Sequence, residues 1–569
     1  MEKKDPWQAI VEALKAENVQ YVFGIPGSSA NLYNALYDAP EIKPILVRHE
    51  QSAAFMATAY GRLTGKPGIC HGTLGPGFSN LLSGILEAYT GCTPVIAICP
   101  AVALKHEGMG ALQEADQLSI VAPMTKWRTR ICRPDRATWA MRRAFSIASN
   151  GKPGPVFVEV PQDVGQEKVE MPEYVPADGP LRIRGDPEKI AEAARLLLKA
   201  QKPVLIAGGG AYLSRAYEEV RKLAELLCIP VLTTASGRGT ISEDHPMAVG
   251  LVGLYRTKIG KEVYESADLL ISVGARMEEL ESGLWNWFPR NAKFVQVDID
   301  AFEIGRNWIP DIAIVGDAKL VLRDLIRILR AHIKTKRLEM PRVRELIRAK
   351  KKYEVEVESE CMTDAMPIRT RRIVKAINKI FGRNTILVNE NGSLDLWSYY
   401  WPYYKVMDVG DCVPPSAQTC MGFGVAGAIG AKLAKPGKKV VCVTGDGAFQ
   451  MAMKELPTAA QYKAPATWVI LNNYSLGWPK YLSKIFYQER YISVDYEIQP
   501  DFAAVAESSG CYGERVEKPD AVERALNNAL KANSEGLPAV LDFVVEPFDY
   551  NEYFKEFHAP RGLFRRRYS

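Results

Sequence analysis

The feature that most constrains this chain is a short apolar run ending in glycine, which recurs along its length. Val440-Val441-Cys442-Val443 leads to Gly445, Tyr21-Val22-Phe23 to Gly24, Val204-Leu205-Ile206-Ala207 to Gly208-Gly209-Gly210, and Leu269-Leu270-Ile271-Ser272-Val273 to Gly274. Runs without polar alternation read as strands covered on both faces, the situation of a parallel sheet. Helically spaced apolar residues such as Trp7, Ile10, Val11 and Leu14 alternate with them. The expected class is therefore α/β, built from doubly wound parallel sheets. One core does not grow to 569 residues, and about three domains are expected for that length. The proline-bearing stretch 163–186 and the charged stretch 334–360 read as linkers. Domains are then expected over 1–165, 188–335 and 366–548, with a basic, aromatic tail over 549–569.

The chain is 47% hydrophobic and 24% charged, with a formal net charge of +6, as in an ordinary globular protein. So small a charge gives no argument for nucleic acid as a partner. The ten cysteines form no Cys-x-x-Cys pair, and Cys70, Cys99 and Cys442 lie in apolar runs. Reduced thiols and a cytoplasmic location are expected. The first residues are charged, and no apolar run nears the roughly 20 residues of a membrane span, so no membrane partner is expected.

Chemistry is concentrated at the glycine turns. Gly445-Asp446-Gly447-Ala448 follows a strand, and twenty-four residues separate Gly447 from Asn472-Asn473. Free backbone amides in such a turn suit phosphate, and Asp446, the side-chain oxygen of Asn473 and the carbonyl of Ser475 make an oxygen set for Mg2+. A chance Asp in a strand-turn-helix is the competing reading. Glu50 follows the strand-like Pro44-Ile45-Leu46-Val47, at the strand's carboxyl end where such sheets keep their sites; a helix N-cap neighbour is the bland alternative. The turn Gly72 to Asn80, with Gly75-Pro76-Gly77 at its centre, lets backbone approach a flat ring, or is a plain loop.

Together these segments resemble thiamine-diphosphate enzymes of the acetolactate-synthase-like superfamily, over nearly the whole chain. The resemblance implies thiamine diphosphate and Mg2+ as cofactors, with Asp446, Asn473 and Ser475 holding the metal. It implies that Glu50 shares a proton with the aminopyrimidine ring and favours its imino tautomer. Gly75, Pro76, Gly77 and Asn80 would line the cofactor, Gly392, Ser393, Gly445, Gly447 and Ala448 would meet its diphosphate, and Met421 would prop thiazolium against pyrimidine, unless Met421 is ordinary core. Sites in this superfamily combine two subunits, so a homodimer is the minimum and a homotetramer is expected.

Within the superfamily, Gln113 falls where a glutamine faces the reacting carbon in acetolactate synthases and in 2-hydroxyacyl-CoA lyases alike. Leu482 falls where acetolactate synthases usually have tryptophan, and Glu489 where a bacterial branch of 2-hydroxyacyl-CoA lyases has a glutamate that acts on the substrate hydroxyl. An exposed helix position for Gln113, and a surface pair with Arg490 for Glu489, are the alternatives. Arg561, Arg565, Arg566 and Arg567 of the tail would face the phosphates of coenzyme A as part of a lid. The implied activity is reversible cleavage of a 2-hydroxyacyl-CoA to an aldehyde or ketone plus formyl-CoA. An acetolactate-synthase-like carboligase acting on pyruvate is the alternative, and oxalyl-CoA decarboxylase a third. In the middle domain, Arg276-Met277-Glu278-Glu279-Leu280 departs from the Arg-Phe-Asp-Asp-Arg segment that acetolactate synthases carry near their flavin. ADP or the adenosine of coenzyme A is therefore expected there rather than FAD, with Asp298 and Asp317 in reach, or no ligand at all.

Overall fold

The computed structural model describes residues 3–28, 30–289, 291–333 and 341–558. Three six-stranded sheets, parallel throughout, follow one another along the chain. The first has β1 (Tyr21–Gly24), β2 (Lys43–Leu46), β3 (Gly68–His71), β4 (Val95–Ala101), β5 (Trp127–Arg130) and β6 (Pro155–Pro161), in the order 2-1-3-4-6-5. The second has β7 (Pro203–Ala207), β8 (Val231–Thr233), β9 (Ala248–Leu251), β10 (Leu269–Val273), β11 (Lys293–Asp298) and β12 (Ile312–Val315), in the order 9-8-7-10-11-12. The third has β13 (Thr385–Asn389), β14 (Cys412–Val413), β15 (Lys439–Gly445), β16 (Thr467–Asn472), β17 (Tyr512–Val516) and β18 (Ala539–Val544), in the order 14-13-15-16-18-17.

The inner strands are buried on both faces, as their unbroken apolar runs require. In each sheet the strand order reverses near its middle, between β1 and β3, between β7 and β10, and between β13 and β15. A crevice opens at the carboxyl ends of the strands on either side of such a reversal. Glu50 follows β2 and Gly72 follows β3; Gly208 and Gly274 follow β7 and β10; Gly392 and Asp446 follow β13 and β15.

The domains are fastened at a few points. The helix Glu50–Thr64 crosses the helix Phe423–Ala434, where the rings of Phe55 and Phe423 meet edge to face at 5.6 Å. A Cβ at Gly430 would lie 2.8 Å from the Met56 Cα, so only glycine permits this approach. Arg62 of the first domain donates to the Ser236 carbonyl of the second at 2.7 Å and to the Cys412 carbonyl of the third at 3.0 Å. The fully buried Arg238 pairs with Glu243 and also donates to the Tyr404 carbonyl at 3.1 Å.

The stretch expected as a charged linker contains the helix Pro341–Cys361, anchored by Lys350, which donates to the His245 carbonyl at 2.9 Å. Of the expected tail, Glu552–His558 is a helix whose Tyr553, Phe554 and Phe557 are buried. It packs on the helix Gly477–Phe486, with the Trp478 indole donating to His558 Nε2 at 3.1 Å. Arg561, Arg565, Arg566 and Arg567 lie outside the described residues.

Candidate active site

Glu50 opens its helix just after the N-cap His49 and is only 7% exposed. Its Oε2 accepts from Asn80 Nδ2 at 2.9 Å. Glycine backbone packs close around it: a Cβ at Gly77 would lie 3.0 Å from Glu50 Oε1, and one at Gly72 would lie 2.7 Å from the Gly77 carbonyl. Gly75 has φ +64° and its backbone presses on the Gln113 carbonyl, which a Cβ would approach to 2.6 Å. Gln113 is thus beside the turn, but exposed. The turn is held instead by Gln117, absent from the sequence reading: it accepts from the Gly75 amide at 3.1 Å and donates to Glu159 at 2.9 Å.

The second cluster sits on the third sheet. Asp446 begins a short helix at the end of β15 and is 1% exposed. Burial pushes its carboxyl up to about 7, the mark of a carboxylate that a cation would relieve. Asn473 and Ser475 are buried beside it, with the Ser475 amide donating to Asn473 Oδ1 at 3.3 Å. Gly447 touches Met421, whose Cε would lie 3.4 Å from a Cβ there; Ala448 is buried in the same turn. Ser393 is buried, and the Gly392 amide donates to Asp395 Oδ2 at 3.0 Å.

Two further side chains reach this cluster from a distance in sequence. Gln499 donates to Asp446 Oδ2 at 2.5 Å while its own Oε1 is buried without a partner. Asp395, pushed up to about 7 by burial, keeps its Oδ1 unpartnered beside Gly445. Buried polar atoms left without partners mark a place for a ligand. A carboxylate, an amide oxygen and a backbone carbonyl form the hard oxygen set that suits Mg2+, and the glycine turns at the ends of β13 and β15 suit a diphosphate. The residues therefore fit the expected cofactor and its metal.

Among the described residues no hydrogen bond or ion pair joins the Glu50 cluster to the Asp446 cluster. The Glu489 side chain is 60% exposed and 3.7 Å from Lys484, rather than paired with Arg490. At the middle reversal a cleft is lined by Gly209, Gly210, Gly274, Arg276, Asp298 and Lys152. Asp317, also on this cleft, is spent on structure: Arg182 pairs with it at 2.9 Å and its carboxylate caps the following helix through the Leu320 amide. Asp298, pushed up to about 6 by burial, remains there.

Three α/β domains with a buried glutamate after one sheet and a phosphate turn with an oxygen donor set after another define a thiamine-diphosphate-binding enzyme. Family comparisons agree along the chain: residues 7–120 match the thiamine pyrophosphate enzyme N-terminal TPP binding domain, 190–325 the central domain, and 390–543 the C-terminal TPP binding domain. The chain is 38% identical over 554 residues to the probable acetolactate synthase large subunit of Methanocaldococcus jannaschii, covering 95% of this chain and 92% of that one. It is 34% identical to the acetolactate synthase of Mycobacterium leprae, covering 95% and 86%, and 34% identical to the acetolactate synthase large subunit of Cyanidium caldarium, covering 89% and 88%. The chain belongs to the acetolactate-synthase-like family of thiamine pyrophosphate enzymes.

Proposed function

We propose that this protein is a carboligase that joins 2-keto acids, pyruvate first among them; its relatives bear the name acetolactate synthase. The observation that carries this reading is the buried Glu50 held by Asn80, in a chain whose kinship to acetolactate synthases runs its full length. Thiamine diphosphate, when bound, supplies a thiazolium carbon acidic enough to become a nucleophile toward a carbonyl. The chain's own groups do the rest. Glu50 would hold a proton for the aminopyrimidine ring, Asp446, Asn473 and Ser475 would hold Mg2+, and Met421 would pack against the bound cofactor.

The Glu50 and Asp446 clusters would be completed by a second copy of the chain. Exposed Met109 and Leu112 beside the first, and exposed Tyr487, Ile492 and Ile498 beyond the second, support a partner face there. A homodimer is the smallest active assembly in this reading, and a tetramer of two such dimers is compatible with it. The free cysteines support a reducing, cytoplasmic setting. The middle cleft would take ADP or the adenosine of coenzyme A, since Arg276 is already engaged by Glu278 at 3.1 Å and by the Thr90 carbonyl at 3.0 Å.

The half-buried Leu482, on the helix after the metal turn, keeps a second reading in play: a 2-hydroxyacyl-CoA lyase releasing formyl-CoA. Incubating the protein, thiamine diphosphate and Mg2+ with pyruvate, and separately with a 2-hydroxyacyl-CoA, decides between them. Acetolactate from the first incubation is expected; formyl-CoA from the second with no acetolactate from the first would replace the carboligase by the lyase.

A further inference from the structure

The helix Pro76–Thr90 turns one face toward two different centres. Positions 76, 80, 83, 87 and 90 follow the three-and-four spacing that stacks residues along one side of a helix. Near its start, Asn80 donates to Glu50. Farther along the same face, three groups meet the third-domain segment 416–420. Cys420 Sγ donates to the Ser83 carbonyl at 3.7 Å, and the hydroxyls of Thr90 and Ser416 share a bond of 2.6 Å. Between them the Glu87 carboxylate accepts from the Ser416 amide and, at 3.4 Å, from the Cys420 amide. The next residue after this segment is Met421.

Glu87 is 1% exposed, and burial raises its carboxyl above the ordinary range. The donors to that carboxylate all come from the segment that leads to Met421. A buried carboxylate loses heavily if such donors leave, so it holds them in place. Asn80 and Glu87 are seven residues apart, about 10 Å along a rigid helix.

We propose that Glu87 is a positioning residue: through its two amide bonds, the first domain sets the position of Met421 and ties it to the Glu50 centre. This rests on the reading of Met421 as the prop between the cofactor's rings. In the subunit pairing proposed above, Glu50 and Met421 of one chain serve different sites, so the helix also joins the two sites of a dimer.

Glu87→Ala removes both acceptors, and Glu87→Gln keeps the shape but sets an amide donor against one of the two backbone donors. The first readout needs no cofactor: hydrogen exchange by mass spectrometry in peptides covering 414–424 should speed up about tenfold in either variant, while peptides covering 50–64 stay unchanged. The second is kinetic: kcat should fall about tenfold with KM for the keto acid moving less than about twofold, and Glu87→Asp should recover part of it. Unchanged exchange at 414–424 overturns the proposal, and so does faster exchange with wild-type kcat. If Glu87→Ala does not accumulate folded, Glu87→Gln carries both tests. Failure of the carboligase reading shows in the wild-type pyruvate assay and leaves the exchange result standing.

Discussion

Glu50 and Asp446 are both buried carboxylates, and their surroundings assign them different tasks. Glu50 has a neutral amide, Asn80, and the glycine backbone of Gly72 and Gly77 packed close against it, which suits a group that shares a proton with a ring bound there. Glu50→Gln keeps the shape and the Asn80 neighbour, so the cofactor should still bind while turnover drops about 10²–10⁴-fold; wild-type turnover in that variant would remove the proton role. A separate titration is built into the middle cleft. Burial, and then neighbouring Glu278, push the Glu281 carboxyl from 4.5 up to about 7. A carboxyl raised in the folded state stabilises fully below its unfolded value, and that contribution disappears as pH climbs through the folded value. Glu281→Gln retains an acceptor for the Glu278 amide, which bonds Glu281 at 3.1 Å. It should melt higher than wild type at pH 8 and no higher at pH 5; the same shift at both pH values would count against the titration. Residues of this kind were legible in sequence only where chemistry is local. Asp446 and Asn473 stand at strand ends inside a recognisable turn, whereas Gln117, Gln499 and Asp395 act through contacts that tertiary folding makes. Glu489 was singled out by local context as well, and in the single chain its side chain is exposed beside Lys484.

At the scale of elements, the inner strands were readable because burial on both faces forces an unbroken apolar run. Two of the edge strands were not. Trp127-Arg128-Thr129-Arg130 and Tyr512-Gly513-Glu514-Arg515-Val516 face solvent and carry charges, which protect an open edge and erase the apolar signal. Strand order was equally hidden, because it is fixed by which crossovers pack, and yet it decides where all three crevices fall. The crossing of helices Glu50–Thr64 and Phe423–Ala434 depends on a glycine that sequence alone reads as a mere weakness in a helix. A methyl group at Gly430 would meet the Met56 backbone, and neither helix can retreat from a packed core. Gly430→Ala should therefore cost about 1–3 kcal/mol by overpacking, although alanine favours helix. Chemical denaturation measures it, and a neutral or stabilising result would mean the helices can separate freely.

At the scale of the whole molecule, the question is how two clusters that share no hydrogen bond among the described residues of one chain would come to act on one cofactor. Each cluster sits at the reversal point of its own sheet, and Arg62 binds all three domains of the chain together. A rearrangement that brought the clusters together within a chain would have to break that fastening and the helix crossing, whereas the proposed two-fold pairing of chains would leave both intact. The difference is measurable by complementation. Glu50→Gln and Asp446→Asn homomers should each be inactive, the first for lack of the proton carrier and the second for lack of the metal ligand. In a mixed dimer, one site receives both substitutions and the other receives neither. Random co-assembly makes half the dimers mixed, with one intact site in two, so the mixture should regain about a quarter of wild-type activity. Sites built within single chains would regain none, because every chain carries a lesion in its own site. Activity well above background on mixing, tracking the fraction of mixed dimers separated by differential tags, therefore decides between the two arrangements, and its absence would place Glu50 and Asp446 of the same chain around one cofactor.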